Sequence, residues 1–489
     1  MRAAYDADTV RSAEQALLDA LPEGTLMQRA AHALARRCAE LLAPVYGSRV
    51  VLLVGSGGNG GDALYAGAQL ARRGARVDAL LLSPTPLAPA LAALHDSGGR
   101  SRPAGGDRDG ELLNAADLVV DGMVGIGASG ALRAPMARLA QLSADSDATV
   151  VAVDVPSGID ASTGTVDGVA VHANVTVTFG GIKTGLLVDP GAAHAGLVEL
   201  VEIGLDLPAS RFTALDAGDV AALMPRPAAE SDKYRRGVLG VVAGSNGYPG
   251  AALLSVGGAL ATGPGMVRFV GTYGPAHVVR LRWPEAVVTE IQAGDADAML
   301  DAGRVQAWVV GPGLGTGEEA RALVAAALDT EVPVLLDADA ITIVAASPDL
   351  VSGRDQPTLL TPHAGELARL IDRDRGWIEG HRIEAACGAA RSLGATVLLK
   401  GSTTIVAEPS GDVRVNTVST PYLATAGSGD VLSGVCGALL AGGVSALDAG
   451  SAGAFVHGLA GLVAAGQPAA PITAISVVEA IAEAIRRTR

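Results

Sequence analysis

The densest run of chemistry-bearing residues in the sequence is Thr425-Ala-Gly427-Ser-Gly429-Asp430-Val-Leu-Ser-Gly434, which opens an apolar helix of small residues. Consecutive amides over Gly427–Asp430 aim their N–H groups at one point, an anion hole for a transferring phosphoryl group, and the Asp430 carboxylate stands ready to take a hydroxyl proton. A second group, Gly55-Ser56-Gly57-Gly58-Asn59-Gly60-Gly61-Asp62, follows a strand-like run near the N-terminus. It satisfies the GxGxxG spacing, yet a dinucleotide site would also place an acid at the end of the second strand. The run Arg76–Leu82 carries Asp78 in its middle and ends apolar. Asn59 and Asp62 instead offer oxygen ligands and a helix cap. The theme recurs in Asp121-Gly122 with Gly125-Ile126-Gly127-Ala128-Ser129-Gly130, and in Asp154-Val-Pro-Ser157-Gly-Ile-Asp160. All three turns fall at strand carboxyl ends, where open α/β sheets hold their ligands.

Charge and composition narrow what such turns can serve. A net charge of −15 repels a phosphate backbone over most of the surface, so nucleic acid is a poor partner and any phosphate ligand must be held by local amides and helix N-termini. Of 36 basic residues only three, Lys183, Lys233 and Lys400, are lysines. Each falls inside a motif, where a compact ammonium does what a planar guanidinium cannot; the competing explanation is codon bias with three chance survivors. Cys38, Cys387 and Cys436 lie far apart without CxxC spacing, which argues against a disulfide framework, a zinc site or a redox pair. The N-terminus MRAAYDADTVRSAEQ carries acids where a secretory signal needs an apolar run, and no uninterrupted apolar stretch is long enough to span a bilayer. The expected place is the cytoplasm, with no membrane partner.

The elements that must position these turns follow from pattern. At 489 residues the chain has room for about two to four domains, two large ones being the simplest reading. With 49 % hydrophobic and 18 % charged residues, both halves can build a core. Glycine at 64 residues and aromatics at 3 % suit α/β proteins, whose βα turns need Gly and whose strands are aliphatic. Helical spacing from about residue 8 to 43 predicts two amphipathic helices. Strands are predicted at Arg49–Val54, Arg76–Leu82, Leu118–Val120 and Val150–Val153, alternating with helix-length segments as βαβ units of a parallel sheet do. The proline-bearing stretch from Asp206 to Glu230 reads as leading to a junction, dividing domains 1–215 and 225–489. Beyond it, strands are predicted at Gly237–Ala243, Met266–Val270, Ala307–Val310, Val334–Leu336, Thr358–Leu360, Thr396–Leu399 and Thr404–Ala407.

The three N-terminal turns, in this order and spacing, resemble the signature loops of NAD(P)H-hydrate epimerase across residues 1 to about 215, a Rossmann-like parallel sheet. The resemblance implies that Asn59, Asp121 and Ser157 are potassium ligands, hard oxygen donors for a hard cation. It implies that Gly58, Asn59, Gly60, Gly61, Asp62, the loop Gly125, Ile126, Gly127, Ala128, Ser129, Gly130, Ala131, and Asp154 contact the hydrated cofactor. Gly58 stands where that family commonly carries a second Asn. The chemistry needs a group to shuttle a proton while a ring hydroxyl leaves and returns on the other face, and Asp154 is the choice; a turn-capping acid is the alternative. Lys183 could hold a substrate carboxylate or phosphate, or be a solvated surface lysine.

Residues 230 to 485 resemble the ribokinase-like superfamily, and six separated motifs narrow this to its ADP-dependent NAD(P)H-hydrate dehydratase branch. They are Gly237–Ser245 with Tyr248–Ala251, Gly311–Gly315, Asp337-Ala-Asp339, Thr361–Glu366, Lys400–Thr404 and Thr425–Gly434. The implied roles put Ala251, Gly313, His363 and Asp430 on the hydrated cofactor, with Asp430 the catalytic base, and Lys400, Gly401, Ser402, Thr403, Thr404 and Gly429 on the adenosine nucleotide, ADP or ATP, with its Mg²⁺. His363 could instead be a packed loop histidine and Lys400 a snorkelling one. The expected whole is two three-layer αβα domains in a homo-oligomer, epimerising hydrated NADH and NADPH and dehydrating the S form. A small-molecule kinase fused to a dinucleotide-binding domain, or a nucleotide sensor on these folds, stays open at this point.

Overall fold

The computed structural model describes residues 1–228 and 230–489; Ala229, at the end of the stretch read as leading to the junction, lies outside the described residues. The chain divides into two compact units, Ala3–Ser210 and Arg211–Arg489 with Met1–Arg2.

The first unit holds a seven-stranded parallel sheet in the spatial order Arg100–Pro103, Arg76–Leu81, Arg49–Val54, Leu118–Gly122, Thr149–Val153, Val175–Phe179, Leu197–Val201. Its central strands are buried on both faces, the pattern of a sheet covered by helices. The chain winds outward from Arg49–Val54 in one direction, then returns and winds in the other, so the switch point falls between Arg49–Val54 and Leu118–Gly122. There Gly55 donates to the Gly122 carbonyl at 3.0 Å. A Cβ at Gly55 would overlap the Met123 carbonyl oxygen, so only glycine lets the two turns meet. The two predicted amphipathic helices are Ala7–Ala20 and Thr25–Leu42, and the glycine-rich turn opens the helix Gly58–Arg72.

The second unit carries the strands Val287–Glu290, Met266–Gly271, Val238–Val242, Ala307–Val310, Val334–Leu336, Thr358–Leu360, Thr396–Leu399, Thr404–Ala407, Val413–Asn416 and Phe212–Ala214 in that spatial order. The first seven are parallel, Thr404–Ala407 runs antiparallel to both its neighbours, and Phe212–Ala214 is parallel to Val413–Asn416. The switch point lies between Val238–Val242 and Ala307–Val310. The strand Phe212–Ala214 and the helix Ala217–Leu223 join this unit, with Leu215, Val220 and Met224 in its core, so compactness changes over at Ser210/Arg211.

Helices Pro249–Thr262 and Ser428–Ala441 pack backbone against backbone, because a Cβ at Gly258 would overlap the Val431 carbonyl and one at Gly434 the Ser255 carbonyl. The helix Ala446–Ala465 corrects one expectation. Its 20 residues are long and apolar enough to cross a membrane, although 78 % of its most apolar window is buried inside the protein. Small residues and helical amphipathicity too slight to mark a face hid it in the sequence.

The close helix pair sets a stability test. Gly434→Ala should lower the urea-unfolding midpoint by an amount equivalent to about 1–3 kcal/mol, since the new methyl meets a carbonyl and the helix must move. Gly388→Ala, within the helix Arg382–Leu393 and with nothing in reach of its Cβ, should raise stability by about 0.5–1 kcal/mol.

Candidate active sites

At the first switch point three turns are stitched together by polar side chains. Asp121, fully buried at the end of Leu118–Gly122, accepts at Oδ1 from Ser157 Oγ (2.7 Å) and the Met123 amide (3.2 Å), and at Oδ2 from the Ser157 amide (2.8 Å). Ser157 Oγ in turn accepts from the Val124 amide at 3.2 Å. Asn59 Nδ2 donates to the Val124 carbonyl (3.0 Å) and the Val153 carbonyl (2.6 Å). Desolvation raises the Asp121 pKa, and the hydrogen bonds from Ser157 and Met123 counter only part of that. Asn59, Asp121 and Ser157 therefore do converge. Gly125 packs over Asn59 Oδ1, and Ile126 joins the apolar cluster of Ala7, Val155 and Ile159, while Gly127 through Ala131 form a half-buried to exposed rim. Gly58 is exposed with open space where a side chain would stand; Gly60 and Gly61 are buried, their Cβ positions filled by the Gly55 carbonyl and by Met27 and Leu87.

Asp154, 5 % exposed, closes the strand Thr149–Val153 in the left-handed region at φ +67°, a conformation that a non-glycine residue holds only under constraint from its surroundings. Its Oδ1 accepts from Thr178 Oγ1 (3.0 Å), the Phe179 amide (3.1 Å) and Lys183 Nζ. Lys183 has no exposed surface, and its ammonium also donates to Thr178 Oγ1 (3.2 Å) and the Phe179 carbonyl (2.8 Å). Lys183 is thus not a surface lysine: it is buried and holds Asp154. Asp62 is also buried, and Glu14 on the helix Ala7–Ala20 faces the same carboxylates. Sequence reasoning missed Glu14, which carries no motif.

At the second switch point Gly311 lies so close to the Asp337 carbonyl that no Cβ fits, and Gly313, at φ +62°, packs against Ala251, which brings two of the expected residues together. Lys400 Nζ donates to Asp337 Oδ1 at 2.8 Å and lies 3.7 Å from Glu366 Oε2. Burial works against its charge, but Asp337 and Glu366 outweigh that and leave its pKa raised. It is an ion-paired residue, not a snorkelling one. Ser433 Oγ donates to Asp337 Oδ2 at 2.6 Å, and a Cβ at Gly429 would stand 3.5 Å from Lys400 Nζ. Asp430, in the first turn of Ser428–Ala441, is pushed up to about 7 by burial and then by the charge of Asp337, with Lys400 opposing. The amides of that turn lack intrahelical acceptors, as at any helix start.

His363 is half-exposed and caps the helix Ala364–Leu370, its Nδ1 accepting from the Gly365 (2.9 Å) and Glu366 (3.2 Å) amides. Nδ1 as acceptor leaves the proton on Nε2 of a neutral ring, and burial keeps its pKa low. In the turn after Thr396–Leu399, Gly401 and Ser402 are exposed, whereas Thr403 and Thr404 are buried. Arg382, a residue that sequence reading passed over, braces this turn by donating from Nη2 to the carbonyls of Leu399 (3.3 Å), Lys400 (3.0 Å) and Thr403 (3.0 Å). Lys233 is exposed, its ammonium 5.3 Å from the Tyr234 ring, and takes no part in either cluster.

Two mostly parallel sheets, each gathering acids and one of the few lysines beyond the carboxyl ends of its strands, define a two-site α/β enzyme. A family model described as NAD(P)H-hydrate dehydratase matches residues 239–483, and one described as YjeF-related protein N-terminus matches residues 23–185. The bifunctional NAD(P)H-hydrate repair enzyme Nnr of Mycobacterium tuberculosis (strain H37Rv) is 50 % identical over 446 residues, covering 90 % of this chain and 89 % of its own. That of Corynebacterium glutamicum is 35 % identical over 522 residues, covering 90 % and 87 %. Among solved structures, the ADP/ATP-dependent NAD(P)H-hydrate dehydratase of Bacillus subtilis, co-crystallised with ATP/Mg²⁺, superposes with a TM-score of 0.52 at 26 % identity over 57 % of this chain and 99 % of its own. The chain belongs to the bifunctional NAD(P)H-hydrate repair enzyme family.

The raised pKa of Asp430 links the site to stability. Between its ordinary 3.8 and about 7 the folded protein keeps a proton that the unfolded chain has released, so stability falls as pH rises through that window. Asp430→Asn should therefore unfold at higher urea than wild type at pH 8 and at the same urea at pH 4; a gain confined to pH 4 would contradict the burial argument.

Proposed function

We propose that the unit Ala3–Ser210 epimerises the R and S hydrates of NADH and NADPH, and that the unit Arg211–Arg489 dehydrates the S hydrate with ADP, giving AMP, phosphate and the restored reduced cofactor. The observation that carries this reading is the use of lysine. Two of only three in the chain are built into carboxylate clusters beyond the carboxyl ends of the two sheets' strands, Lys183 on Asp154 and Lys400 on Asp337, whose charge acts on Asp430.

In the first unit Lys183, Thr178 and the Phe179 amide all bond Oδ1 of Asp154 and fix the carboxylate, leaving Oδ2 to exchange a proton with the ring hydroxyl or its replacement. In the second, Asp430 takes the proton of the ring hydroxyl as its oxygen attacks the terminal phosphoryl group, while the first-turn amides meet the developing charge. Phosphate then leaves, the ring nitrogen's electron pair assists, and the neighbouring carbon gives up a proton to form the double bond. Phosphorylation converts a poor leaving group into a good one. Lys400, Gly401, Ser402, Thr403, Thr404 and Gly429 would hold the nucleotide, and Ala251, Gly313 and His363 the hydrate.

Potassium suits the first site. Asp121 is buried with only neutral donors around it, and a half-turn of the Asn59 amide adds its Oδ1 to the oxygens of Asp121, Ser157, Val124 and Val153. A cation there would offset the buried charge and lock the three turns. Mg²⁺ would accompany the nucleotide and neutralise its phosphates, near the acids Asp337, Asp339 and Glu366 that act on Asp430. The cytoplasm, where these substrates are, suits a chain whose three cysteines are free. Homo-oligomerisation is supported by the edge strand Leu197–Val201, which leaves Leu197 and Leu200 exposed.

Separated hydrate epimers and the full-length chain test the scheme. With ADP, absorbance of the reduced cofactor should return from both epimers; without nucleotide, only interconversion should occur. Asp430→Asn should lower dehydration by about 10²- to 10⁴-fold and spare interconversion, and Asp154→Asn should do the reverse. The wild-type dehydration rate should rise with pH through about 7 as Asp430 ionises. A phosphorylated product that persists would identify a kinase instead, and an unchanged rate in either variant would refute its assignment.

A further inference from the structure

The first site contains a second carboxyl group that the scheme above leaves without a chemical part. Asp62 stands in the opening turns of Gly58–Arg72, 7 % exposed, and its Oδ1 has no hydrogen-bond partner among the described residues. Buried acids that serve only architecture find donors, and an isolated ionised one is costly. Asp154 is dressed in the opposite way, with three donors on Oδ1, one of them an ammonium, and none on Oδ2 among the described residues. The charges that act on Asp62 are those of Asp154 at the strand end and Glu14 on the helix Ala7–Ala20, and Glu14 in turn feels Asp154, Lys183 and Arg11. Burial, then the charges of Asp154 and Glu14, hold the Asp62 carboxyl well above the usual carboxylate range, which favours its protonated form. Two carboxyls in one site, one shifted toward its protonated form and one paired with a cation, are the arrangement that separates an acid from a base.

We propose that Asp62 is the second catalytic carboxyl of the epimerase site, protonating the departing ring hydroxyl on one face while Oδ2 of Asp154 receives the proton of the water that arrives on the other. The inference rests on the epimerase reading of this unit. The carbon–oxygen bond breaks with its electron pair going to oxygen, the Asp62 proton completes a water molecule, and the ring nitrogen's lone pair forms a nitrogen–carbon double bond. Water then attacks that carbon from the opposite face, the π pair returns to nitrogen, and the surplus proton passes to Asp154. The opposite epimer is handled by the same pair with the protonation states exchanged, so solvent resets the enzyme between turnovers. Each interconversion replaces the hydroxyl oxygen with one from solvent.

The test follows nucleotide-free interconversion of the separated epimers by the full-length chain in ¹⁸O-water. Wild type should incorporate one label per inversion. Asp62→Asn should lower kcat in both directions by about 10²- to 10⁴-fold with KM changed only a few-fold and a urea midpoint no lower than wild type, while Asp62→Glu should retain more of the rate. Inversion without label, or Asp62→Asn within a few-fold of wild type, overturns the proposal while leaving the epimerase reading intact. Failure of wild type to interconvert the epimers above the uncatalysed rate overturns both.

Discussion

A lysine with no exposed surface is admissible only if its charge is met, and in the first unit the charge that meets Lys183 is Asp154. Much of that unit's local architecture follows from this one pair. The ammonium is fixed by the Phe179 carbonyl and Thr178 hydroxyl, which belong to the buried strand Val175–Phe179, so the strand must lie next to Thr149–Val153. Asp154 must turn back toward the lysine, and the left-handed φ it adopts is the cost. Removing the lysine would leave a desolvated carboxylate without its cation or its strongest positional restraint, so the pair governs stability and chemistry together. The second unit repeats the logic less deeply: Lys400 is held by Asp337 and Glu366, and through Asp337 it is tied to Ser433 in the helix that carries Asp430.

Both sites also depend on backbone approaching backbone more closely than any side chain permits. Gly55 against Met123 joins two turns of the first sheet and Gly311 against Asp337 two turns of the second, while Gly434 against Ser255 seats one helix on another. These contacts place turns rigidly at the switch points, which lets short loops carry chemistry that needs positional precision. Glycine at these positions is a requirement of distance, and the high glycine content of the sequence is in part its trace.

Most of the strands were legible because fully buried parallel strands read as aliphatic runs, and the observed ends lie within two residues of those expected. Arg100–Pro103 was invisible because an edge strand of Arg, Ser, Arg and Pro has no apolar signature. Val175–Phe179 was passed over because its Thr176 and Thr178 look like surface positions. Both are buried, with hydroxyls that satisfy the Ala195 carbonyl and Asp154. The site turns were legible as clusters of Gly, Asn and Asp, since those residues are rarely grouped without reason. What the sequence could not disclose was which partner each charge would choose. Lys183 was open between substrate and solvent and instead pairs inside the protein; Glu14 and Arg382 sit on helices whose polar faces carry no signal of what they meet.

The two sites together explain why one chain needs both. In the proposed scheme a phosphoryl acceptor presents its hydroxyl to the first-turn amides and to Asp430 at once, and the amides and the acid are fixed on a single helix start. Only one configuration at the ring carbon can satisfy both contacts with the rest of the ring seated, so dehydration by such a site is stereospecific by construction. A hydroxyl that can be lost and regained on either face requires the opposite design, with proton-transfer groups on both sides of the carbon and no commitment to one. The first site, with one carboxyl held by an ammonium and another buried without a donor on Oδ1 among the described residues, suits that design in the proposed scheme. Chemistry that tolerates both hands must precede chemistry that accepts one, or half of the damaged cofactor would be out of reach of repair.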